Sequence, residues 1–425
     1  MIFNGGERAS SLTPFLILSK FDTSKGFKKM TVDLSVVYCG IKHESPFILA
    51  PSPSTDHLDL LIQAFEAGWA GAVLKTVAVD SRIVSRVFPM VTRVEQESAF
   101  LGLQNIDLVS EHSVETVEQN VRILKKKFPN KVVVPSIMAF TKEDWQSLTK
   151  RFIDAGADII ECSIWHPHGT EWTLCTKVEE PVGTEQIACW VKEAAGDIPV
   201  VIKLSALDSD IIATAEAVER SGAQGVSAIN TIKSITGVDL DTLIPYPNIA
   251  GLSTYGGLSG PALKPISLRC TAEIAQKVKL DIASSGGIST WKDCAEFLLL
   301  GASTLQMCTS VLRFGLGIIV ELKQGLEGWM QEKGFQSLTE VIGKSLPYLV
   351  EHSRLPRGIQ VVSQIQKEVC HGCGACYTAC QSGGHDAIIL VDGLPRVEVS
   401  KCIGCGMCRA MCLSKAITLI RPSGK

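Results

Sequence analysis

Short apolar runs recur at regular intervals between Pro46 and Met307. Each run is bounded by polar or turn-forming residues, and its length suits a buried strand better than a helix. Eight runs meet this description: Phe47–Ala50, Gly71–Lys75, Val132–Ile137, Asp158–Cys162, Val200–Leu204, Gly225–Ile229, Leu280–Ser284 and Ser303–Met307.

Amphipathic segments with a helical period lie between these runs. They are Leu58–Glu66, Val114–Phe128, Lys142–Asp154, Glu185–Ala194, Asp210–Ser221, Thr271–Val278 and Thr290–Leu299. Strand and helix in alternation, with eight strands, predict an α/β fold of the (β/α)8 TIM-barrel type. An open doubly wound sheet shares the alternation, and periodicity alone does not separate the two folds.

The pattern also divides the chain. Residues 1–29 show no sustained period and are predicted to be a flexible leader, and residues 30–311 form the predicted barrel. Residues 312–360 are predicted to be a helical connection and a linker marked by Pro347 and Pro356. Residues 361–425 are predicted to form a second domain.

Two cysteine runs of identical spacing, C-x2-C-x2-C-x3-C, occupy this second domain. They are Cys370, Cys373, Cys376, Cys380 and Cys402, Cys405, Cys408, Cys412. The spacing lets three thiolates of a loop bind one cubane while the fourth reaches the other cluster. It therefore predicts a bacterial-ferredoxin-like α+β domain with two [4Fe-4S] clusters. Zinc is the alternative, but structural zinc sites use CxxC pairs separated by a longer insert.

Composition narrows the classes of function. The chain of 425 residues is 46% apolar and carries a net charge of -3 at pH 7, so it is globular without a basic excess. Nucleic-acid binding is therefore disfavoured. No apolar stretch approaches the roughly 20 residues that span a bilayer, and we expect no membrane association. Oxygen-labile clusters and reduced cysteines suit a cytoplasmic location.

Glycine pairs follow the predicted strands where barrel enzymes bind phosphate. Gly286 and Gly287 come after the seventh run, before a helix whose positive end favours an anion. Cys308 and Thr309 follow the eighth run, and the segment around Gly256 and Gly257 is a third candidate loop. A single glycine pair could be only a turn, but three sets at one rim predict a phosphate-bearing cofactor.

Two lysines end apolar runs at the same rim. Lys75, followed by Thr76, and Lys203 are costly to bury without a partner for their charge. An isoalloxazine that gains negative charge near N1 and C2=O is such a partner. Snorkelling to solvent is the alternative. Asn105 and Asn230 offer amides that can read a ring lactam, although either could be an exposed loop residue.

Taken together, these residues resemble the dihydropyrimidine dehydrogenase family. The likeness is carried by the two cysteine runs and by Ala64–Trp69, Lys75–Thr76, Gln104–Asn105, Pro167–Gly169, Ile229–Ile235, Tyr255–Gly260 and Ser285–Gly287. It is strongest to the bacterial FMN and iron-sulfur subunit, whose barrel is similar to dihydroorotate dehydrogenases. The resemblance implies FMN in the barrel and reversible reduction of the 5,6 double bond of uracil or thymine.

The resemblance also implies which residues form the site. Those implied to bind FMN are Ala50, Lys75, Thr76, Asn105, Lys203, Asn230, Gly256, Gly257, Gly286, Gly287, Cys308 and Thr309. Those implied to face the pyrimidine are Asn105, Ser163, Asn230 and Thr231. Ser163 is a departure, since the family has Asn there.

A proton donor is needed beside the hydride donor, because ring reduction adds both. The loop after the fourth strand carries this acid as a cysteine in the mammalian-type enzymes, and Cys175 is the first candidate here. His166 or His168 is the second. The alternative for Cys175 is a loop cysteine with no role.

No G-x-G-x-x-G motif follows a strand, so the chain has no recognisable dinucleotide site. We therefore expect electrons from an NAD(P)H- and FAD-containing reductase subunit or from a ferredoxin, in a hetero-oligomer. Two rivals stay open. One is an enzyme for dihydroorotate or another heterocycle, and the other is an electron-transfer flavoprotein subunit that turns over no small molecule.

Overall fold

The computed structural model describes residues 32–79, 87–164, 182–206 and 210–421. Within them the strands are numbered β1 to β20 and the helices α1 to α11 in chain order. The chain divides into two compact units between Tyr348 and Leu349. This division falls inside the segment that the sequence predicts as connection and linker, and the predicted leader lies outside the described residues.

A parallel sheet forms the framework of the first unit, in the order β5-β9-β10-β11-β12-β15-β16-β3-β4-β8. Its strands are β3 (Phe47–Leu49), β4 (Gly71–Val73), β5 (Val77–Ala78), β8 (Val132–Val134), β9 (Ser136–Met138), β10 (Ile160–Ser163), β11 (Val200–Leu204), β12 (Gly225–Ala228), β15 (Asp281–Ser285) and β16 (Thr304–Met307). All eight predicted runs appear among them.

The sheet closes on itself at one interrupted strand. β8 and β9 are separated only by Pro135, which has no N–H to give to a ladder. β8 pairs with β4 while β9 pairs with β10, so the two ends of the sheet meet here. β5 continues the line of β4 and pairs with β9. The predicted (β/α)8 barrel is therefore confirmed, and the open sheet is excluded.

Helices cover the barrel between its strands. They are α1 (Leu58–Ala67), α2 (Val114–Lys127), α3 (Lys142–Asp154), α4 (Val182–Ala195), α5 (Ile211–Arg220), α6 (Lys264–Lys277), α7 (Trp291–Leu299), α8 (Thr309–Phe314) and α9 (Ile318–Lys333). Ser113, Thr141 and Asp210 cap helices by accepting first-turn amides. α6 begins seven residues before the predicted segment Thr271–Val278, with a proline in its first turn.

A second, antiparallel sheet was not predicted, and it corrects one interpretation. It contains β6 (Val91–Gln96), β7 (Ala99–Asn105), β13 (Ile232–Ser234) and β14 (Gly256–Ser259), in the order β13-β14-β7-β6. The segment at Gly256 is thus a strand and not the expected loop. A Cβ on Gly256 would lie 2.5 Å from Gln104 Cγ, so close pairing with β7 requires glycine there.

A short hairpin, β1 (Val36–Tyr38) and β2 (Ile41–His43), covers the N-terminal ends of the barrel strands. The Cys39 amide donates to Asp281 Oδ2 at 2.6 Å, and Asp281 opens β15. The hairpin therefore seals the end of the barrel opposite the predicted site.

The second unit is built from two similar halves. Its elements are β17 (Val362–Ile365), α10 (Ala375–Ser382), β18 (Ile388–Val391), β19 (Leu394–Val397), α11 (Met407–Ala410) and β20 (Ile417–Ile420). β17 pairs antiparallel with β20, and β18 pairs antiparallel with β19. Each half runs from cysteine loop to short helix to strand, which confirms the predicted ferredoxin-like α+β domain.

Among the helices of the described residues, none is both long enough and apolar enough to cross a bilayer.

Candidate functional site

A large cavity opens at the C-terminal ends of the barrel strands. It encloses about 1260 Å³, including space open to solvent. Ala50 follows β3, Lys75 follows β4, Asn230 follows β12 and Cys308 follows β16, and all four line it. This is the face on which TIM-barrel enzymes place their active sites.

The loop after β15 forms one corner of the cavity. Gly286 and Gly287 line it with φ angles of +109° and +86°, which side-chain-bearing residues rarely adopt. A Cβ on Gly287 would lie 2.6 Å from the Lys264 backbone nitrogen. The loop is therefore held against the start of α6 with its backbone facing the cavity.

Asp293 forms a capping box with Thr290 at the start of α7. Its Oδ2 accepts from the backbone N–H of Ser289 at 3.0 Å and of Thr290 at 2.7 Å. The residues of this loop that line the cavity are Gly286, Gly287 and Ile288.

Cys308 and Thr309 face the glycine loop from the end of β16. The Thr309 hydroxyl donates to Ser259 Oγ at 2.9 Å, which joins this corner to β14. Burial raises the pKa of the Cys308 thiol, and the positive charges of Lys75 and Lys203 oppose that shift without cancelling it. Cys308 is therefore a neutral thiol at physiological pH.

Both predicted lysines line the cavity, and each has a carboxylate partner. Lys75 forms an ion pair with Asp107, which also lines the cavity. Lys203 Nζ lies 3.6 Å from Glu161 Oε1. The structure thus places two lysine ammonium groups, each paired with a carboxylate, in the lining of the cavity.

Glu161 and Gln306 are buried polar residues that were not predicted as part of the site. Gln306 Nε2 donates to Glu161 Oε2 at 2.6 Å, and Gln306 Oε1 accepts from Lys203 Nζ at 3.2 Å. A charged residue inside the apolar run Asp158–Cys162 was the available signal, because a buried charge requires a partner.

The predicted substrate-facing residues meet at the same cavity. Ser163, Asn105, Asn230 and Thr231 all line it. Asn105 Nδ2 donates to the Gly257 carbonyl at 3.0 Å, and Asn230 Oδ1 accepts from the Thr231 amide at 2.8 Å. Backbone contacts thus fix both amide groups.

Gly256 and Gly257 do not belong to the described lining. Gly257 pairs with β7 and Gly256 pairs with β13, whereas Ser259 and Gly260, later in the same segment, line the cavity. Cys175, His166 and His168 lie outside the described residues, so the proton donor stays a prediction.

The second unit has two smaller cavities of about 310 and 300 Å³. The first is lined by Cys370, Cys373, Cys376 and Cys412, and the second by Cys402, Cys405, Cys408 and Cys380. Each cavity therefore brings together three cysteines of one run and the fourth cysteine of the other. Backbone amides also reach the sulfurs, as Ala416 N–H does to Cys412 Sγ at 3.3 Å.

Comparison with known proteins gives a family match for each of the two units. Residues 33–330 match the family described as dihydroorotate dehydrogenase, and residues 363–413 match a 4Fe-4S dicluster domain. The NAD-dependent dihydropyrimidine dehydrogenase subunit PreA of Escherichia coli K12 is 36% identical over 84% of this chain and 88% of its own. The chain belongs to the dihydropyrimidine and dihydroorotate dehydrogenase family.

Two further relatives show the breadth of this family. The chloroplastic dihydropyrimidine dehydrogenase (NADP(+)) of Arabidopsis thaliana is 32% identical over 83% of this chain and 85% of its own. The catalytic subunit of dihydroorotate dehydrogenase B (NAD(+)) of Pyrococcus abyssi is 33% identical over 74% of this chain and 99% of its own. The predicted resemblance is confirmed, and with it an oxidoreductase acting on CH-CH groups.

The residues present fit the cofactors of this family. The glycine loop offers backbone N–H groups to a phosphate. The side-chain amides of Asn105 and Asn230 and the ammonium groups of Lys75 and Lys203 can bind the polar edge of an isoalloxazine. The eight cysteines supply the thiolates for two cubanes. FMN and [4Fe-4S] clusters are therefore its cofactors. When bound, they supply hydride transfer and one-electron transfer respectively.

Proposed function

We propose that this protein interconverts a pyrimidine such as uracil or thymine with its 5,6-dihydro form. The observation that carries the proposal is the meeting of Ser163, Asn105, Asn230 and Thr231 around one cavity. A pyrimidine presents alternating carbonyl and N–H groups, and amides and hydroxyls provide matching donors and acceptors. Lys203 is assigned to the electronegative N1 and C2=O region of the flavin, where its charge favours reduction.

The charges in the cavity favour an uncharged pyrimidine as substrate over dihydroorotate, which carries a carboxylate. Lys75 and Lys203 are both already paired with carboxylates, Asp107 and Glu161. A substrate carboxylate placed beside them would meet those negative groups as well as the cations. The family match still favours dihydroorotate as the second candidate, because the Pyrococcus abyssi subunit aligns over 99% of its length.

Electrons reach the flavin through the two clusters in this proposal. Cys373 and Cys405, one from each cluster loop, are exposed, which supports exchange with another protein at the surface of the second unit. The donor is an NAD(P)H- and FAD-containing reductase subunit or a ferredoxin, and the assembly is a hetero-oligomer. The Escherichia coli relative is itself named as a subunit of an NAD-dependent enzyme.

Substrate choice is tested by anaerobic reoxidation. The purified holoprotein is reduced chemically and mixed with uracil, thymine or orotate while flavin absorbance is followed. We expect uracil or thymine to restore the oxidised flavin spectrum and orotate to do so far more slowly. Faster reoxidation by orotate would instead favour the dihydroorotate activity, and no reoxidation by any lactam would favour an electron-relay subunit.

Loss of the acid is expected to slow turnover without affecting electron supply. If Cys175 donates the proton, Cys175→Ala should reduce substrate turnover by about 10²- to 10⁴-fold, the usual contribution of a positioned proton donor. Cys175→Ser should also be slow, because a hydroxyl is a much weaker acid than a thiol. Flavin reduction by the partner should be unchanged, as stopped-flow absorbance would show.

His166→Gln is the matched comparison for this test. It should be the milder change if Cys175 is the acid. The reverse ranking, with Cys175→Ala near wild type and His166→Gln inactive, would assign the role to His166.

A further inference from the structure

A row of buried, hydrogen-bonded side chains connects the lining of the cavity to the barrel interior. Lys203 on β11 is 7% exposed and lines the cavity, whereas Glu161 on β10 is 1% exposed and lies behind it. Gln306 on β16 joins them through the two hydrogen bonds described above. Ser227 on β12 donates to the same Gln306 oxygen at 3.1 Å.

The hydrogen bonds allow one orientation of the Gln306 amide. An ionised carboxylate can only accept, so the NH2 group must point toward Glu161. The carbonyl oxygen then points toward Lys203 and Ser227, both of which donate to it. The orientation of Gln306 is therefore fixed by Glu161 and in turn fixes the direction of the Lys203 ammonium.

Glu161 also supplies the counter-charge that burial of an ammonium requires. Its Oε1 has no hydrogen-bond donor among the described residues and lies 3.6 Å from Lys203 Nζ. A buried lysine without such a partner loses its proton easily, because desolvation penalises the charged form.

We propose that Glu161 is a positioning residue that, with Gln306, keeps the Lys203 ammonium charged and directed into the FMN cavity. Glu161 does not line the cavity itself, and its influence on the cofactor passes through Lys203. This inference rests on the proposed assignment of Lys203 to the flavin.

The other titratable groups near these side chains do not supply the negative charge that Glu161 gives to Lys203. Cys308 faces Lys203 from the end of β16 and stays a neutral thiol. Tyr38 faces Glu161 from β1, and burial raises its pKa so that it also stays neutral. Lys75 lines the same cavity, but its charge is paired with Asp107. Glu161 is thus the carboxylate placed to compensate Lys203.

The test is the FMN reduction potential of the holoprotein as a function of pH, with the FMN dissociation constant as a second readout. Lys203→Met, which has no charge at any pH, should give a lower potential than wild type throughout. Glu161→Gln should lie at or above wild type at low pH, where Lys203 is still protonated. It should fall toward the Lys203→Met curve as pH rises, because Lys203 has lost the carboxylate that stabilises its charge.

Ser227→Ala is the matched control, because it removes one hydrogen bond to Gln306 and leaves the ion pair intact. It should follow the wild-type curve. If Glu161→Gln fails to fold or to bind FMN, Gln306→Leu replaces it, with a drop in the same direction expected.

The outcomes separate this inference from the function it rests on. A Glu161→Gln curve parallel to wild type, with Lys203→Met displaced, would overturn the role of Glu161 alone. A Lys203→Met curve that coincides with wild type would instead contradict the placement of the flavin beside Lys203.

Discussion

Replacing Gly287 by Asp is expected to give a folded protein that keeps its iron and loses most of its FMN. The glycine loop borders the cavity with its backbone, and an aspartate there adds a negative charge where we expect the phosphate. It also adds a Cβ within 2.6 Å of the Lys264 nitrogen, so the loop must shift. A charged hydrogen bond contributes about 1.5–3 kcal/mol, so flavin affinity should fall at least about tenfold.

Two matched variants separate charge, bulk and backbone strain. Gly287→Ala introduces the same clash without the charge and should retain more flavin than Gly287→Asp. Gly334 ends α9 with a φ of +79° and has open space around it, so Gly334→Asp should retain full flavin. Flavin and iron are measured by absorbance and elemental analysis of purified protein. Full FMN occupancy in Gly287→Asp would show that the phosphate lies elsewhere.

The barrel could be predicted because its strands are buried on both faces. Parallel strands under helices read as continuous apolar runs, as in the fully buried Val132–Val134. Helix ends were predictable where a cap is visible. α3 begins and ends at the predicted residues, and Thr141 accepts the Asp144 amide at its start.

The hairpin β6–β7 could not be predicted, because both signals for it are weak. β6 is largely exposed, so its sequence has no apolar face to display a period. The chain reverses at Glu97 and Ser98, whose φ angles are +48° and +68°. Turns of this kind normally show Asn-Gly or Asp-Gly, and that signature is missing here.

The candidate site was predicted best where the backbone itself requires a particular residue type, as it does at the glycines. Gly286 and Gly287 line the cavity as expected, but Gly256 is a glycine because Gln104 packs against it in the neighbouring strand. Sequence alone does not separate these two causes. Gln306 could not be selected either, since its role depends on Glu161, which lies on a different strand and far away in the chain.

Removal of Cys380 is expected to destroy the cluster built on the other cysteine loop. Cys380 follows Cys370, Cys373 and Cys376 in sequence, yet it lines the cavity of Cys402, Cys405 and Cys408. The reason is geometric, because Cys380 lies on α10 and is carried away from its own loop. Cys380→Ala should therefore lose about half of the iron and interrupt electron transfer to the flavin.

Spectroscopy of matched variants identifies which cluster is lost. The EPR spectrum of reduced Cys380→Ala should resemble that of Cys405→Ala, which removes a ligand from the second loop, and should differ from that of Cys373→Ala. Cys189 is an exposed cysteine on α4, far in sequence from both runs. Cys189→Ala should therefore keep the signals of both clusters. If Cys380→Ala matched Cys373→Ala instead, each loop would hold its own fourth ligand. The crossed arrangement of the two cavities would then describe the polypeptide but not the ligation of its clusters.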